Sequence, residues 1–413
     1  MSSVTAVASP TPLDDYASLL GAAEIDELRA LARPLRGRTV QMVNSTQVGG
    51  GVAEILNRLI PLAQELGLEV RWDVMQGGPD FFEVTKGFHN ALHGGAYTPS
   101  AHDLEVFQHY SAINRARLAF DADFTVIHDP QPAALVESRV RGQGHWIWRC
   151  HIDLSQPQRQ VWDFLEPFVL RYDCAIFSQP AYSRQLPLPQ FLFYPSIDPL
   201  SEKNRDLDRQ VVADVLSRFG IDPTRPIVTQ ISRFDRLKDP VGVIRAFRLV
   251  KRHTDCQLVL AGGGADDDPE GAVVLGEVRA AANADPDIHV LELPAMAPLE
   301  VNALQRGSTI IVQKSLREGF GLTVTEALWK RKPVVASAVG GIPVQVVHGQ
   351  TGLLAHSVEG TASHIRYLLS NPEVATALGN RGHDHVREHF VITRNLRAYL
   401  VLFQWLAASG VGR

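Results

Sequence analysis

The chain has 413 residues, a length that corresponds to two or three domains. Hydrophobic residues make up 45% and charged residues 21%, which excludes collagen-like and low-complexity proteins. The 40 Lys and Arg residues are outnumbered by 45 Asp and Glu residues, and the net charge of -5 is no global sign of nucleic-acid binding. Three cysteines without a CxxC pair argue against a zinc ribbon and fit a reducing compartment.

The N-terminal segment contains neither a basic stretch nor an apolar run of signal-peptide length. No uninterrupted apolar run is long enough for a transmembrane helix. We therefore expect a cytoplasmic protein without a membrane partner.

Strand-like and helix-like segments alternate along the first half of the chain. After a strand at 38–44 and the glycines at 49–51, the run VAEILNRLIPLAQELG has apolar residues at helical spacing. LEVRWDVM, ADFTVIHD, HWIWRCHID and DCAIFS are further strand-like runs. This alternation predicts βαβ units around a parallel sheet.

The aperiodic, polar stretch 196–207 interrupts the alternation and predicts an interdomain linker. The pattern restarts with the strand-like runs PIVTQIS, CQLVLAGG, DIHVLEL, STIIVQ and KPVVAS. We therefore predict an α/β fold with two doubly wound Rossmann-like domains, at 1–195 and 208–390. The apolar helical segment within 391–413 is expected to pack back on the first domain.

Parallel sheets of this kind bind ligands beyond the carboxyl ends of their strands. Two such domains facing each other would make a central cleft, and chemistry-bearing residues are expected directly after the predicted strands.

Two carboxylates, Glu318 and Glu326, flank a Gly-x-Gly and the start of a predicted helix. Backbone N–H groups at a helix start suit an anionic ligand such as a diphosphate. The alternative is a purely structural glutamate that complements the helix dipole.

Arg233 and Lys238 follow the strand PIVTQIS, in a loop that leads to a helix. Two cations at the carboxyl end of a strand suit a diphosphate, although a solvated basic loop is the simpler reading of this segment alone. Both segments together favour an anion site.

The glycines at 49–51 join a strand to a helix but do not form the dinucleotide pattern, because position 54 is Glu. A plain tight turn is the alternative. Polar residues also cluster near the other strand ends and loops of this half: His89, Asn90, His128, Asp129, His151 and Asp153. Structural histidines or a zinc site are alternatives, but HxD spacing is unspecific. Trp146 and Trp148 share one face of a strand, where core packing or sugar stacking would use them.

Several motifs together resemble a known family. The E-x7-E spacing, SRFDRLKD and GGIPVQVVHGQTGLL resemble the retaining nucleotide-sugar glycosyltransferases of the two-domain GT-B fold. VNSTQVGGGVAEIL, FFEVTKGFHNALHG and WIWRCHIDLSQP resemble more closely the trehalose glycosyltransferring synthases. The resemblance covers most of the chain.

The resemblance implies a role for each matching residue. Glu326 would hydrogen-bond the donor ribose, and Glu318 would contact the transferred glucose near its 3- and 4-hydroxyls. Arg233 and Lys238 would neutralise the diphosphate, and His151 would contact the donor glucose near its 6-hydroxyl. The implied donor-binding residues are Gly50, Gly51, Gly262, Gly263, Glu292, Gly319, Phe320, Gly321, Leu322, Thr323 and Glu326. The implied acceptor-binding residues are His89, Asn90, Asp129 and Asp153.

The activity implied is reversible transfer of glucose from a nucleoside diphosphate glucose to free glucose, giving α,α-trehalose with retention of configuration. The nucleotide sugar is a co-substrate, and no obligatory cofactor or metal ligand is implied. The base of the donor, a divalent ion and a homodimer stay open. The acceptor-side motifs VNSTQVGGG, IHDPQ and CHIDLS contain no Lys or Arg, which favours free glucose over a sugar phosphate; Lys86 and Arg149 are the nearest cations.

Two alternatives remain from the sequence. A trehalose phosphorylase of the same fold shares several of the N-terminal motifs. A two-domain sugar-binding protein without catalysis is the other alternative.

Overall fold

The computed structural model of the chain describes residues 11–46, 51–263, 269–294 and 296–409. The chain forms two compact units, of which the first is discontinuous in sequence. The first unit contains Met1–Pro195 and Ile392–Arg413, and the second contains Ser196–Val391. Within the described ranges, no helix combines the length and the apolar character needed to cross a membrane.

The first unit is built on a six-stranded parallel sheet. Its strands are β1 (Thr39–Asn44), β2 (Glu69–Val74), β3 (Phe124–His128), β4 (His145–Arg149), β5 (Cys174–Phe177) and β6 (Gln190–Leu192). The order across the sheet is β2-β1-β3-β4-β5-β6, and neighbouring strands run parallel throughout. Every residue of β3 and β5 is buried, as expected for strands covered on both faces of a parallel sheet.

Helices surround this sheet. They are α1 (Ala17–Leu20), α2 (Ala22–Ala32), α3 (Gly51–Glu65), α4 (Pro79–Leu92), α5 (Ala101–Arg117), α6 (Arg159–Val169) and α15 (Ile392–Ser409). Short 3₁₀ turns occupy Leu13–Tyr16, Arg33–Leu35, Ala133–Ser138 and Pro180–Tyr182. The last helix, α15, packs on α2 and α3. Its Gln404 Nε2 donates to Leu31 O at 2.6 Å, and its Phe403 ring stacks on Phe124 of β3 at 4.5 Å.

The second unit repeats the architecture with a different strand order. Its strands are β7 (Ile227–Ile231), β8 (Gln257–Gly263), β9 (Ile288–Leu293), β10 (Ile310–Gln313), β11 (Val334–Ser337) and β12 (Leu353–Ala355). The order is β12-β11-β10-β7-β8-β9, all parallel, so the chain winds outward from β7 first in one direction and then in the other. This is the order of the dinucleotide-binding doubly wound fold.

The helices of the second unit cover both faces of its sheet. They are α7 (Arg209–Arg218), α8 (Pro240–Lys251), α9 (Pro269–Ala282), α10 (Pro298–Gly307), α11 (Leu322–Trp329), α12 (Ile342–Gln345), α13 (Val358–Ser370) and α14 (Pro372–His389), with a 3₁₀ turn at Arg236–Lys238. The two parallel-sheet α/β units confirm the fold predicted from the alternating pattern.

The stretch 196–207 belongs to the second unit in this structure rather than standing between two units. Asn302 of α10 donates to the carbonyl oxygens of Glu202 and Arg205, both at 2.8 Å. Arg306 Nη2 donates to the carbonyls of Asn204 at 3.1 Å and Arg205 at 3.0 Å. These side chains satisfy carbonyls that no helix or strand takes up, which is why an aperiodic segment can be held in place.

The two tryptophans of β4 are core residues. Trp146 and Trp148 are 2% and 0% exposed, and Trp148 contacts the rings of Trp162 and Phe177. Core packing is therefore the role that the structure gives them.

Candidate functional site

The strand order of the second unit reverses between β7 and β10, and ligands of doubly wound sheets bind where such a reversal occurs. Ser232 and Arg233 follow β7 directly, and Lys314 follows β10. Glu318 lies in the loop between β10 and α11. The predicted anion-site residues therefore converge on this reversal point.

Lys238 and Glu318 form an ion pair there. Lys238 Nζ lies 2.8 Å from Glu318 Oε1 and 2.7 Å from Oε2. Glu318 also accepts from Ser315 Oγ at 3.1 Å and Gln313 Nε2 at 3.4 Å. The side chains of Lys238 and Glu318 are 18% and 8% exposed, so both charges lie at the edge of the protein interior.

Arg233 has a different environment from Lys238. Its side chain is 66% exposed, and its Nη2 lies 3.6 Å from Asp235 Oδ2, beyond hydrogen-bonding distance. A loosely held, exposed guanidinium can reorient toward an anionic ligand.

Lys314 pairs with Asp239, which has a left-handed backbone at φ 47 and caps α8 through Gly242 N at 3.0 Å. Lys314 is not among the residues predicted for this site, although its position directly after a strand is a usable signal.

The turn into α11 contains the predicted donor-binding run from Gly319 to Thr323. Gly321 has φ 83, a left-handed conformation that favours glycine, immediately before the helix starts at Leu322. Phe320 is buried, and its ring contacts Phe390 at 5.7 Å. A Cβ added at Gly319 would meet no atom within 4 Å, so this backbone is accessible to a ligand.

Glu326 lies inside α11 and is 1% exposed. Its Oε1 is 2.8 Å from Lys203 Nζ, and its Oε2 is 3.5 Å from Gln305 Nε2. The carboxylate predicted to bind ribose is therefore held by Lys203, from the stretch 196–207. Sequence reasoning missed Lys203 because this stretch was predicted to be a linker and has no periodicity.

The other predicted donor residues lie on β8 and β9. A Cβ at Gly262 would lie 1.9 Å from Ser232 O, so glycine is required where the loop after β7 crosses β8. Gly263, at the end of β8, is half-buried. Glu292 pairs with Gly262 across the two strands, and its carboxylate is 3.1 Å from Arg279 Nη2.

In the first unit, the strand order reverses between β1 and β3. Of the glycines at 49–51, the first two, including the predicted Gly50, lie outside the described residues, and Gly51 is the exposed first residue of α3, the helix that follows β1. His128 ends β3 and Asp129 follows it, while His151 and Asp153 lie just beyond β4.

His128, Asp129 and His151 are in direct contact. His128 Nδ1 is 3.0 Å from His151 Nε2, and Asp129 Oδ1 accepts from the His151 backbone N–H at 2.7 Å. Asp129 has φ 68, an unusual conformation for a residue other than glycine that is often found at functional sites. Asp153 accepts from Ser155 N at 2.8 Å and is half-buried.

Burial and a neighbouring cation set the charges of this cluster. Burial, followed by the Arg149 cation, lowers the pKa of His128 to about 3 and that of His151 well below its usual range. Burial raises the pKa of Asp129 to about 6, against the opposing effects of the His151 N–H bond and Arg149. The two histidines are therefore neutral near pH 7, whereas Asp129 titrates close to it.

Arg149 is 1% exposed and is the neighbour of His128 across the β3–β4 pairing. Its Nη2 donates to Phe193 O at 2.7 Å and contacts Ser178 Oγ at 3.3 Å. A guanidinium fixed in the interior in this way acts on the histidines through its charge.

The remaining predicted acceptor residues, His89 and Asn90, lie on the last turns of α4. The His89 ring contacts the His93 ring at 4.6 Å. The Gln158 N–H donates to Ala91 O at 2.9 Å, which joins the end of α4 to the loop after β4. The hydrogen bond that the structure shows to the Asp129 carboxylate comes from the His151 N–H, just beyond β4.

In the part of the chain that the structure describes, no group of three or more His, Cys, Asp or Glu side chains is arranged to hold a metal ion.

Two family descriptions match the chain: "Trehalose synthase, N-terminal domain" over residues 42–184 and "Glycosyl transferases group 1" over residues 215–385. Sucrose-phosphate synthase from Thermosynechococcus elongatus superimposes with a TM-score of 0.69 at 19% identity, covering 90% of this chain and all of that one. A trehalose-phosphate synthase from Burkholderia xenovorans, solved with glucose 6-phosphate, gives 0.68 at 15% identity, covering 89% and 100%. Fold and family match define a glycosyltransferase with the GT-B fold.

Relatives that match nearly the whole chain show which family of glycosyltransferases it belongs to. Trehalose synthase of Pyrococcus horikoshii is 44% identical over 94% of this chain and 95% of its own length. Trehalose synthase of Rubrobacter xylanophilus is 46% identical over 95% and 96%. A trehalose phosphorylase of Pleurotus pulmonarius is 29% identical, over 94% of this chain but 60% of its own length. The chain belongs to the trehalose synthase family.

Proposed function

We propose that the chain transfers glucose from a nucleoside diphosphate glucose to the anomeric hydroxyl of free glucose, making α,α-trehalose reversibly and with retention. The Lys238–Glu318 pair at the reversal point of the second sheet is the observation that supports the proposal, because a carboxylate able to accept hydrogen bonds from sugar hydroxyls lies beside a cation able to hold a phosphate. The 44–46% identity to trehalose synthases supports trehalose as the product.

In the proposed reaction, the bond between the glucose anomeric carbon and the diphosphate oxygen breaks. The acceptor hydroxyl oxygen bonds to that carbon on the same face, and its proton passes to the departing diphosphate oxygen. Lys238, the exposed Arg233 and the backbone N–H groups at the start of α11 would stabilise the negative charge that develops on the diphosphate. This route uses the nucleotide sugar as co-substrate and needs no cofactor.

A carboxylate nucleophile is not required by this route. Glu318 is engaged by Lys238, and one oxygen of Asp129 is engaged by the His151 N–H. Retaining hydrolases instead use two carboxyl groups about 5 Å apart, one of them free to attack.

Free glucose is the proposed acceptor because the acceptor-side motifs VNSTQVGGG, IHDPQ and CHIDLS contain no Lys or Arg. Of the two cations nearest to these motifs in the sequence, Arg149 is buried and bound to Phe193 O, whereas Lys86 is exposed. A phosphate group is usually held by several cations or N–H donors.

The test supplies glucose and glucose 6-phosphate at equal concentration with labelled ADP-, UDP- or GDP-glucose. Labelled trehalose is expected with at least one donor, whereas predominant trehalose 6-phosphate would contradict the assignment of the acceptor. The reverse assay separates the phosphorylase alternative: trehalose breakdown should require a nucleoside diphosphate, and breakdown with inorganic phosphate alone would favour a phosphorylase. The chain spans 95–96% of the synthases but 60% of the phosphorylase, which supports the first outcome.

A further inference from the structure

The contact between His128 and His151 requires that the two rings take different roles. Their nitrogens, Nδ1 and Nε2, are 3.0 Å apart, and the rings are nearly parallel with centroids 5.3 Å apart. A hydrogen bond between two imidazole nitrogens contains one proton, so one ring donates and the other accepts.

A third side chain decides the direction of this bond. His128 Nε2 lies 3.5 Å from Met42 Sδ on β1. A thioether sulfur can only accept, so the proton of His128 belongs on Nε2. A neutral imidazole has one N–H, which leaves His128 Nδ1 as an acceptor and makes His151 Nε2 the donor.

Both rings are neutral near pH 7, as their lowered pKa values require. Arg149, a permanent charge buried close to both rings, opposes a second proton on either of them. Neither ring therefore becomes a cation near neutral pH, and one ring stays the donor while the other stays the acceptor.

We propose that His128 is a positioning residue: together with Met42 it fixes His151 as the tautomer with the proton on Nε2, so that His151 Nδ1 is a hydrogen-bond acceptor. The His151 backbone is held separately, by Asp129 Oδ1 at 2.7 Å. The bond to Asp129 thus fixes the backbone of His151, and the bond to His128 fixes which nitrogen of its half-buried ring carries the proton.

The consequence for the reaction rests on the proposed function, in which His151 contacts a glucose hydroxyl near position 6. An acceptor at Nδ1 requires that hydroxyl to donate its proton. A fluorine in place of the hydroxyl cannot donate, so a 6-fluoro sugar should be as poor a substrate as a 6-deoxy sugar, in which hydrogen replaces the hydroxyl.

The tautomer can be read directly, without any substrate. Long-range ¹H–¹⁵N spectra of the full chain labelled with ¹⁵N-histidine distinguish protonated from bare ring nitrogens, and a His151→Gln variant identifies the His151 signals by their loss. We expect a bare Nδ1 and a protonated Nε2 between pH 6 and 8. A proton on Nδ1, or a ring that becomes cationic in this range, would overturn the proposal whether or not the chain makes trehalose.

Two variants of His128 separate positioning from packing. His128→Asn keeps an acceptor oxygen near the place of Nδ1, whereas His128→Leu removes it. His128→Leu should lower kcat by about tenfold, the effect of one lost neutral hydrogen bond, and His128→Asn should recover most of that loss. Equal kcat values for both variants would overturn the role of His128. If the leucine variant does not fold, the spectra and the asparagine variant still decide.

A donor carrying 6-deoxy-6-fluoroglucose tests the direction of the sugar contact. Its kcat/KM should fall to that of the 6-deoxyglucose donor in the parent chain. A fluorinated donor that performs like the natural one would show that Nδ1 does not accept from this hydroxyl. Absence of any glucosyl transfer would instead contradict the proposed function and leave the spectroscopic result standing.

Discussion

Replacing Lys203 with methionine should destabilise the second unit, because it leaves the buried Glu326 carboxylate without its cation. Glu326 is 1% exposed and lies 2.8 Å from Lys203 Nζ. Removing one partner of a buried ion pair costs about 3–5 kcal/mol. The Lys203 side chain is 27% exposed, so water can partly replace the ammonium group, and we expect the lower limit of about 3 kcal/mol.

Hydrogen exchange of the α11 amides, followed by mass spectrometry in the full chain, measures this loss where it occurs. A change of 1.4 kcal/mol is a factor of ten, so exchange through the opening reaction should be about 100-fold faster in Lys203→Met. The matched control is Arg236→Met, which breaks an exposed pair with Glu277 whose side chains are 55% and 42% exposed. Exposed pairs contribute about 1 kcal/mol or less, so the control should change exchange less than about fivefold.

The double variant Lys203→Met/Glu326→Gln completes the test. Removing the carboxylate charge as well should restore much of the protection, because no unpaired charge then remains in the interior. The stabilising role of the Lys203–Glu326 pair would be contradicted if Lys203→Met accelerates exchange no more than Arg236→Met does, or if the double variant is as unstable as Lys203→Met.

Lys238→Ala removes a cation aimed at the leaving diphosphate and should lower turnover by about 10²–10³-fold, measured in single-turnover assays; a folded variant with a normal rate would contradict the role. Gly262→Ala should lower the melting temperature sharply, because its Cβ would lie 1.9 Å from Ser232 O, whereas Gly319→Ala has open space and should not; equal melting temperatures would be inconsistent with this. The Asp129 carboxyl, with its pKa raised to about 6, loses its proton as pH rises. The acceptor kcat/KM should therefore increase from pH 5 to 7 and be flat in Asp129→Asn; a flat profile in the parent chain argues against a carboxylate contact.

The sheet strands could be predicted because strands buried on both faces are short, continuous apolar runs. DCAIFS became β5 (Cys174–Phe177), and PIVTQIS became β7 (Ile227–Ile231). A shared location for Lys238 and Glu318 was also predictable, since residues after parallel strands gather at one edge of the sheet, but their direct ion pair was not.

Contacts that depend on how distant segments pack could not be predicted in this way. Nothing in the local pattern around Lys203 distinguishes it from a solvated lysine, because its partner Glu326 lies on another element. The same holds for Met42 and His128, which periodicity assigns to strands but not to each other. Local patterns specify which face is buried, and tertiary packing decides which polar atoms meet inside it.

The return of α15 to the first unit affects the order in which the chain can fold during synthesis. Four apolar residues of this helix, Leu396, Leu400, Phe403 and Leu406, are almost completely buried. These residues are synthesised after all of Ser196–Val391. The second unit can therefore be complete while the first unit still lacks helix α15. Because α15 packs on α2 and α3, the packing of the first unit can be completed only after the whole second unit has been synthesised, whereas an N-terminal domain usually folds first. Until α15 has been synthesised, the apolar surface of α2 and α3 that it covers lacks this partner.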